Sequence, residues 1–343
     1  MRGISKPSER NYIFDILQSE ADVRTIAAEW LRLWGEDSHA TPFQSPHWNL
    51  AWWDHLNPGG ALAIVTVRHQ RVLVALAPWY FSRHEEAGQR FLRFFGTGVS
   101  DYLDVLQSRH HKISWFRDLV PWTLQQLNWD ECDFDELSCD SALLDCTASK
   151  PAYSVERRSV CPVLQLSGSS DSLSGAISRG AATALGYYRR RLAREHQFEI
   201  EAADQQNTEY LVSELFRLHH QRWSARGQSG VLCGKHIAEF HHQAALGLLD
   251  EGALRLYLLR IEGRSAAVFY GFACHRRTYY YLGGFAPEFA RFNPGTILIG
   301  YAIEQAIEER SLEFNFLRGG EPYKYWWGAR DRFSYRLRLP KIC

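Results

Sequence analysis

FNFLRGGEPYKYWWG, residues 314–328, couples a strand-like alternation to a glycine pair and then to a lysine set among aromatic side chains. Leu312, Phe314 and Phe316 alternate with Glu313, Asn315 and Leu317, the period-2 signature of a strand. Gly319 and Gly320 allow a turn with positive φ or a close approach of backbone to ligand. Glu321, Tyr323 and Lys324 then open a short turn beside Trp326 and Trp327. Acyl transfer to an amine needs a cationic or N–H donor for the oxyanion, a base for the incoming nucleophile and an acid for the leaving group. Lys324, Glu321 and Tyr323 match those three roles in that order. The plainer reading is that Lys324 snorkels past the two tryptophans with a cation–π contact and no chemistry.

A loop and helix lie just upstream. "FARFNPGTILIG" (289–300) follows the strand "TYYYLGGF" (278–285) and leads into a long apolar helix over 296–310. Asn293 stands at a favoured N-cap position and Pro294 at a favoured first helical position. The N–H groups of Gly295, Thr296 and Ile297 then face outward at the positive end of the helix. A phosphate or pyrophosphate suits that end, reinforced by Arg291, although capping alone also accounts for the pattern.

Two more stretches carry chemistry-bearing residues. In "LFRLHHQRWSARGQSG" (215–230), His219, Arg222 and Arg226 share one side of a helix, and histidine suits proton transfer near neutral pH. No histidine pair here shows a metal-binding spacing, so no metal site is expected. In "YYRRRLAR" (187–194), Tyr187 and Arg190 belong to a basic, aromatic helix suited to an anionic substrate, or simply to a solvated face.

The chain around these stretches has 343 residues, 45% of them hydrophobic, enough for two ordinary domains with a substantial core. Lys plus Arg and Asp plus Glu are 39 each, a balance that argues against general nucleic-acid binding. The N-terminal residues carry no signal-peptide core, and no stretch approaches a membrane span. Seven cysteines are scattered with no Cys-x-x-Cys pair, which fits reduced thiols and a cytoplasmic setting.

From the N-terminus the pattern predicts an amphipathic helix over 13–36, a second helix over 41–56 and strands over 61–68 and 72–81. Short strands follow at 91–96 and 102–106, then a helix over 111–127 broken near Pro121, and strands at 133–137 and 161–166. Ser-, Gly- and Pro-rich segments 147–160 and 167–175 read as linkers. Helices over 173–197, 208–227 and 236–252 precede a meander of three strands (253–261, 266–274, 278–285), then the long helix, the strand 312–317 and a last strand over 333–339. Both halves therefore run helices, hairpin strands, helix, strand, the order expected of two related α+β lobes.

Over 173–339 the chain resembles the GNAT acyltransferase superfamily. The resemblance rests on "LHHQRWSARGQSG", "FARFNPGTILIG" and "FNFLRGGEPYKYWWG". Within that superfamily the chain is similar to the cellulose-biosynthesis-type (CelD/BcsL) acetyltransferases, to which "TPFQSPHWNLAWW" and "GVSDYLDVL" of the first half also look alike. That branch resembles the Fem aminoacyltransferases in plan. The resemblance implies a mixed α/β fold of two GNAT-like lobes, each a mostly antiparallel sheet flanked by helices. A degenerate first lobe would occupy 11–166 and the acyltransferase lobe 173–341.

It also implies acetyl-CoA or another acyl-CoA as donor, with its pyrophosphate on Arg291, Asn293, Gly295, Thr296 and Ile297. The acyl arm would lie between the strands "YYYLGGF" and "EFNFLRG". The acceptor would be an amine or hydroxyl of a sugar or sugar nucleotide, met by Arg222, Arg226, Tyr187, Arg190 and Trp327, in polysaccharide biosynthesis and beside its machinery. Lys324 matches the Lys-x-x-aromatic-Gly pattern shared with the Fem enzymes. The pyrophosphate loop departs from the usual Gln/Arg-x-x-Gly-x-Gly/Ala, because Pro294 and Thr296 stand at its glycine positions. An aminoacyl-tRNA donor is the alternative within the same fold. A non-catalytic lobe pair binding glycan through its tryptophans is the alternative outside it.

Overall fold

A computed structural model describes residues 12–83, 88–111, 113, 115, 119–144, 153–166, 172–224, 232 and 234–341. The first half contains β1 (Tyr12–Leu17), α1 (Glu20–Thr25), α2 (Ala27–Glu36), α3 (Pro46–Leu56), β2 (Ala61–Leu62), β3 (Ile64–His69), β4 (Val72–Ala77), β5 (Trp79–Arg83), β6 (Arg90–Phe94) and β7 (Leu106–Gln107). These are followed by α4 (Val120–Gln126), β8 (Glu131–Leu137), β9 (Ser154–Val160) and β10 (Val163–Gln165). The second half runs α5 (Leu173–Ala176), α6 (Arg179–Glu195), β11 (Phe198–Ala202), α7 (Thr208–Ser224), α8 (Lys235–Asp250), β12 (Leu254–Ile261), β13 (Arg264–Cys274) and β14 (Arg277–Phe285). It ends with α9 (Pro294–Glu308), β15 (Glu313–Asn315), α10 (Pro322–Trp326) and β16 (Phe333–Pro340).

The strands form three sheets ordered β1-β3-β4-β7, β2-β5-β6-β8-β16-β9 and β10-β15-β14-β13-β12-β11. Pairing is antiparallel except at β6–β8 and β14–β15. The fold is thus mixed α/β, with antiparallel-rich sheets in tandem and helices against them, as the sequence implies.

The expected division at 166/173 is not followed by the sheets. β10, from the first half, pairs with β15, and the C-terminal β16 inserts between β8 and β9. The halves also share one hydrophobic core. Trp48 of α3 meets the rings of Phe240, Phe272 and Tyr281 at 4.7, 5.6 and 5.5 Å. A second core lies within the first half, around Trp79, Phe94 and Phe134, and receives Leu337 from β16.

Three local expectations change. Residues 12–17 are a strand rather than the start of a helix. Tyr12, Phe14 and Ile16 turn inward against β3 while Ile13 points to solvent, and Ser19 caps α1 by accepting from the N–H of Asp22 at 3.2 Å. Within the expected linker 147–160, residues 154–160 are the edge strand β9, whose mostly exposed side chains give no apolar signal. Much of 167–175 lies outside the described residues, but 173–176 is the short α5. The pair Trp52-Trp53 packs in the core, Trp53 stacking on Phe95 at 4.9 Å, so it offers no platform for a sugar.

Candidate functional site

β14 and β15 run in parallel register at only three positions, Arg277↔Glu313, Thr278↔Phe314 and Tyr279↔Asn315. Beyond them β14 continues to Phe285. The other chain turns away through Leu317 (φ +57°) and Gly319 (φ +107°). The two strands therefore splay, and a cleft of about 330 Å³ opens where their pairing stops. Its floor is Phe269, Tyr280, Gly283 and Gly284, its far wall Tyr323, Trp326 and Trp327, and its end Asn293 to Thr296. That volume and apolar lining lie in the range of small-molecule sites.

Glycine in β14 sets the floor. A Cβ at Gly284 would stand 2.6 Å from the backbone nitrogen of His219, so only a bare backbone lets α7 pack there. At the cleft's end Asn293 takes a left-handed conformation (φ +52°, ψ +50°) and makes no side-chain cap. Asn293 is the N-cap residue, as expected, though without a side-chain cap, and asparagine tolerates αL through its short polar side chain. The N–H of Ile297 is taken by the carbonyl of Asn293 at 3.1 Å. For Gly295 and Thr296 no acceptor is found among the described residues, so two of the three expected donors stay open toward the cleft. A Cβ on Gly295 would meet only Phe285, at 3.9 Å. The position is open space facing the cavity.

The far wall is held by α6. Ser178, which caps α6, donates its hydroxyl to the carbonyl of Trp326 at 2.6 Å and its N–H to that of Trp327 at 3.0 Å. Trp327 is fully buried and lies edge-on to Trp326 at 5.1 Å.

Lys324 does not line the cleft. It is 2% exposed, and its Nζ donates to the carbonyls of Leu317 (3.2 Å), Arg318 (2.5 Å) and Gly319 (3.1 Å). Glu321 completes the shell at 2.9 Å. Three ammonium protons on three carbonyls leave none for an oxyanion. Lys324 braces the turn after β15, and Glu321 answers that charge from outside the cleft. Tyr323 is the member of the expected trio that lines the cavity.

His219 is buried on α7 behind Gly284 rather than in the cleft lining. Tyr187 is 52% exposed, edge-on to Tyr188, and Arg190 is likewise at the surface of α6. Arg291 is exposed beside the cleft's end and faces Glu195 at 3.9 Å. Arg226 and the side chain of Arg222 lie outside the described residues. No group of His, Cys, Asp and Glu among the described residues has the makings of a metal site, and none of the described helices is long and apolar enough to cross a membrane.

Sequence reading missed the polar junction between the halves. Arg318, just past β15, reaches Asp101 with both its side chain and its backbone N–H (3.1 Å), and Glu136 at 3.4 Å. Glu136 also accepts from the hydroxyls of Ser159 (2.7 Å) and Ser334. Burial pushes its carboxyl above the usual range, against the pull of those hydroxyls and of Arg318. Asp101 lies in "GVSDYLDVL", but nothing in that string reveals a partner 217 residues away.

The cleft thus lies between β14, the start of α9 and α10. Residues 180–325 match the acetyltransferase (GNAT) domain family, and the protein is an acyltransferase. No curated protein matches the chain in sequence. Among solved structures, FemX aligns with a TM-score of 0.67 at 10% identity, over 91% of this chain and 95% of its own. A conserved protein of unknown function from Bacteroides thetaiotaomicron aligns at 0.60 and 11%, over 96% and 100%. The C-terminal domain of a putative lysylphosphatidylglycerol synthetase from Agrobacterium fabrum aligns at 0.53 and 12%, over 78% and 81%. These likenesses are of fold.

Proposed function

We propose that the protein transfers an acyl group, acetyl in the simplest case, from acyl-CoA to an amine or hydroxyl of a sugar, sugar nucleotide or related acceptor in cytoplasmic exopolysaccharide or envelope-glycan synthesis. The observation that carries the donor assignment is the cleft's end, where the open N–H groups of Gly295 and Thr296 sit at the start of α9. There the helix dipole favours a pyrophosphate. The arm of the donor would lie along β14 beyond Tyr279, where its pairing with β15 ends. The acceptor's nitrogen or oxygen attacks the acyl carbonyl and forms the new C–N or C–O bond as the C–S bond breaks. Tyr323 protonates the departing thiolate, and the proton shed by the acceptor passes through water to restore the Tyr323 hydroxyl.

Direct attack is favoured over an acyl-enzyme, because burial pushes the Cys161 and Cys274 thiols up to about 12 and leaves them protonated at neutral pH. The likeness to FemX over most of both chains supports a second reading, in which the donor is an aminoacyl-tRNA.

Calorimetry with acetyl-CoA tests the donor, with Gly295→Glu as control. Since a side chain at 295 enters open space, the variant should fold normally and lose micromolar binding. Absence of binding to the wild type at millimolar acetyl-CoA would remove that donor and shift the reading toward longer acyl groups or aminoacyl-tRNA.

A further inference from the structure

Three arginines crowd one carboxylate beside the end of the cleft. Glu195, the last residue of α6, has Arg191 Nε at 3.3 Å, Arg194 Nη2 at 3.5 Å and Arg291 Nη2 at 3.9 Å. Arg191 also donates to the carbonyl of Arg291 at 3.3 Å. The guanidinium carbons of Arg191 and Arg291 stand 5.4 and 4.5 Å from the centroid of Phe292, a ring that His196 meets edge-on at 5.0 Å. The ring is buried, so it fixes the two guanidiniums without competing for their N–H donors. Arg194 and Arg291 are 75% and 61% exposed. Asn293 and Pro294, two and three residues beyond Arg291, already line the cleft.

Three positive charges against one negative leave a surplus of about two, in a chain whose overall charge is zero. Exposed arginines within reach of one another repel unless an anion joins them, and one glutamate answers only a third of their charge. A pyrophosphate on the open N–H groups of Gly295 and Thr296 is served by the helix start itself and does not call for such a surplus. A phosphomonoester, at about −1.5 to −2 near neutral pH, matches it.

We propose that Arg191, Arg194 and Arg291, held in place by Glu195 and Phe292, form a second anion seat for the ribose 3′-phosphate of coenzyme A. The assignment rests on the acyl-CoA reading above. It adds a determinant separating coenzyme A from donors with the same thiol arm and pyrophosphate but no third phosphate. Guanidinium–phosphate bonds are charge-assisted and forked, which suits a terminal phosphate better than a bridging one.

The test compares coenzyme A with dephospho-coenzyme A by calorimetry, in the wild type and in Arg194→Ala/Arg291→Ala, two exposed positions whose removal should leave the melting curve in place. The wild type should prefer coenzyme A by about tenfold or more, as expected for a charge-assisted phosphate contact. That preference should weaken with added salt and collapse toward one in the double variant. Equal binding of both ligands by the wild type would overturn the seat while leaving the acyl-CoA reading intact. A ratio unchanged by the double substitution would do the same. Binding of neither ligand would remove the donor reading and the seat together.

Discussion

Lys324 illustrates how a residue's type and its task separate. An ammonium buried to 2% exposure survives only if its protons are all placed, and here the turn at 317–319 presents three carbonyls to it. Lys324→Met keeps the stem's volume and leaves those carbonyls without a donor. It should cost about 2–3 kcal/mol of stability by urea unfolding, with turnover falling only as the turn loosens. A variant with unchanged stability and abolished kcat would instead return Lys324 to the chemistry. The sequence showed that a charge stood among aromatics, but not which way it pointed, because direction depends on a turn that Leu317 completes with a positive φ. Gly295 and Thr296 were legible for the opposite reason: the donors at a helix start follow from local geometry alone.

At the scale of elements, the cleft exists because β14 outlasts its pairing with β15 and because α7 lies directly on β14. The second condition is testable at Gly284. Gly284→Ala would set a Cβ 2.6 Å from one backbone atom of α7 and 2.7 Å from another, and backbone cannot step aside as a side-chain tip would. The substitution should destabilise by about 1–3 kcal/mol and shift thermal melting downward, whereas Gly295→Ala should leave the melt unchanged. Equal melts for the two would mean that α7 adjusts freely. The meander β12–β14, the long helix α9 and the final strand were all legible, since each carries a strong periodic pattern and a clear turn. The edge strands β9 and β11 were not. A strand with one neighbour and mostly exposed side chains needs no apolar alternation, and its identity comes from the partner it meets.

Across the whole molecule, the two halves are tied by exchanged strands. β16 inserts into the first half's sheet between β8 and the edge strand β9, and β10 completes the sheet of the second. Deleting residues 333–343 should therefore damage the half of the chain most distant in sequence. Circular dichroism melting should show loss of the single cooperative transition, and proteolysis should open the 131–160 region first. A truncated chain that melts as sharply as the intact one would show the inserted strand to be dispensable. The sequence by itself determined the mixed α/β class, the GNAT-type second half and the helix start that ends the cleft, because helical and strand periodicity and helix termini are local properties of consecutive residues. Only the tertiary structure decided that Lys324 turns onto the carbonyls of residues 317–319, that Asp101 and Glu136 meet Arg318 across the halves, and that the last strand belongs to the first sheet. Each of these depends on contacts between residues far apart in the chain, where burial and pairing, not neighbouring sequence, set the partner.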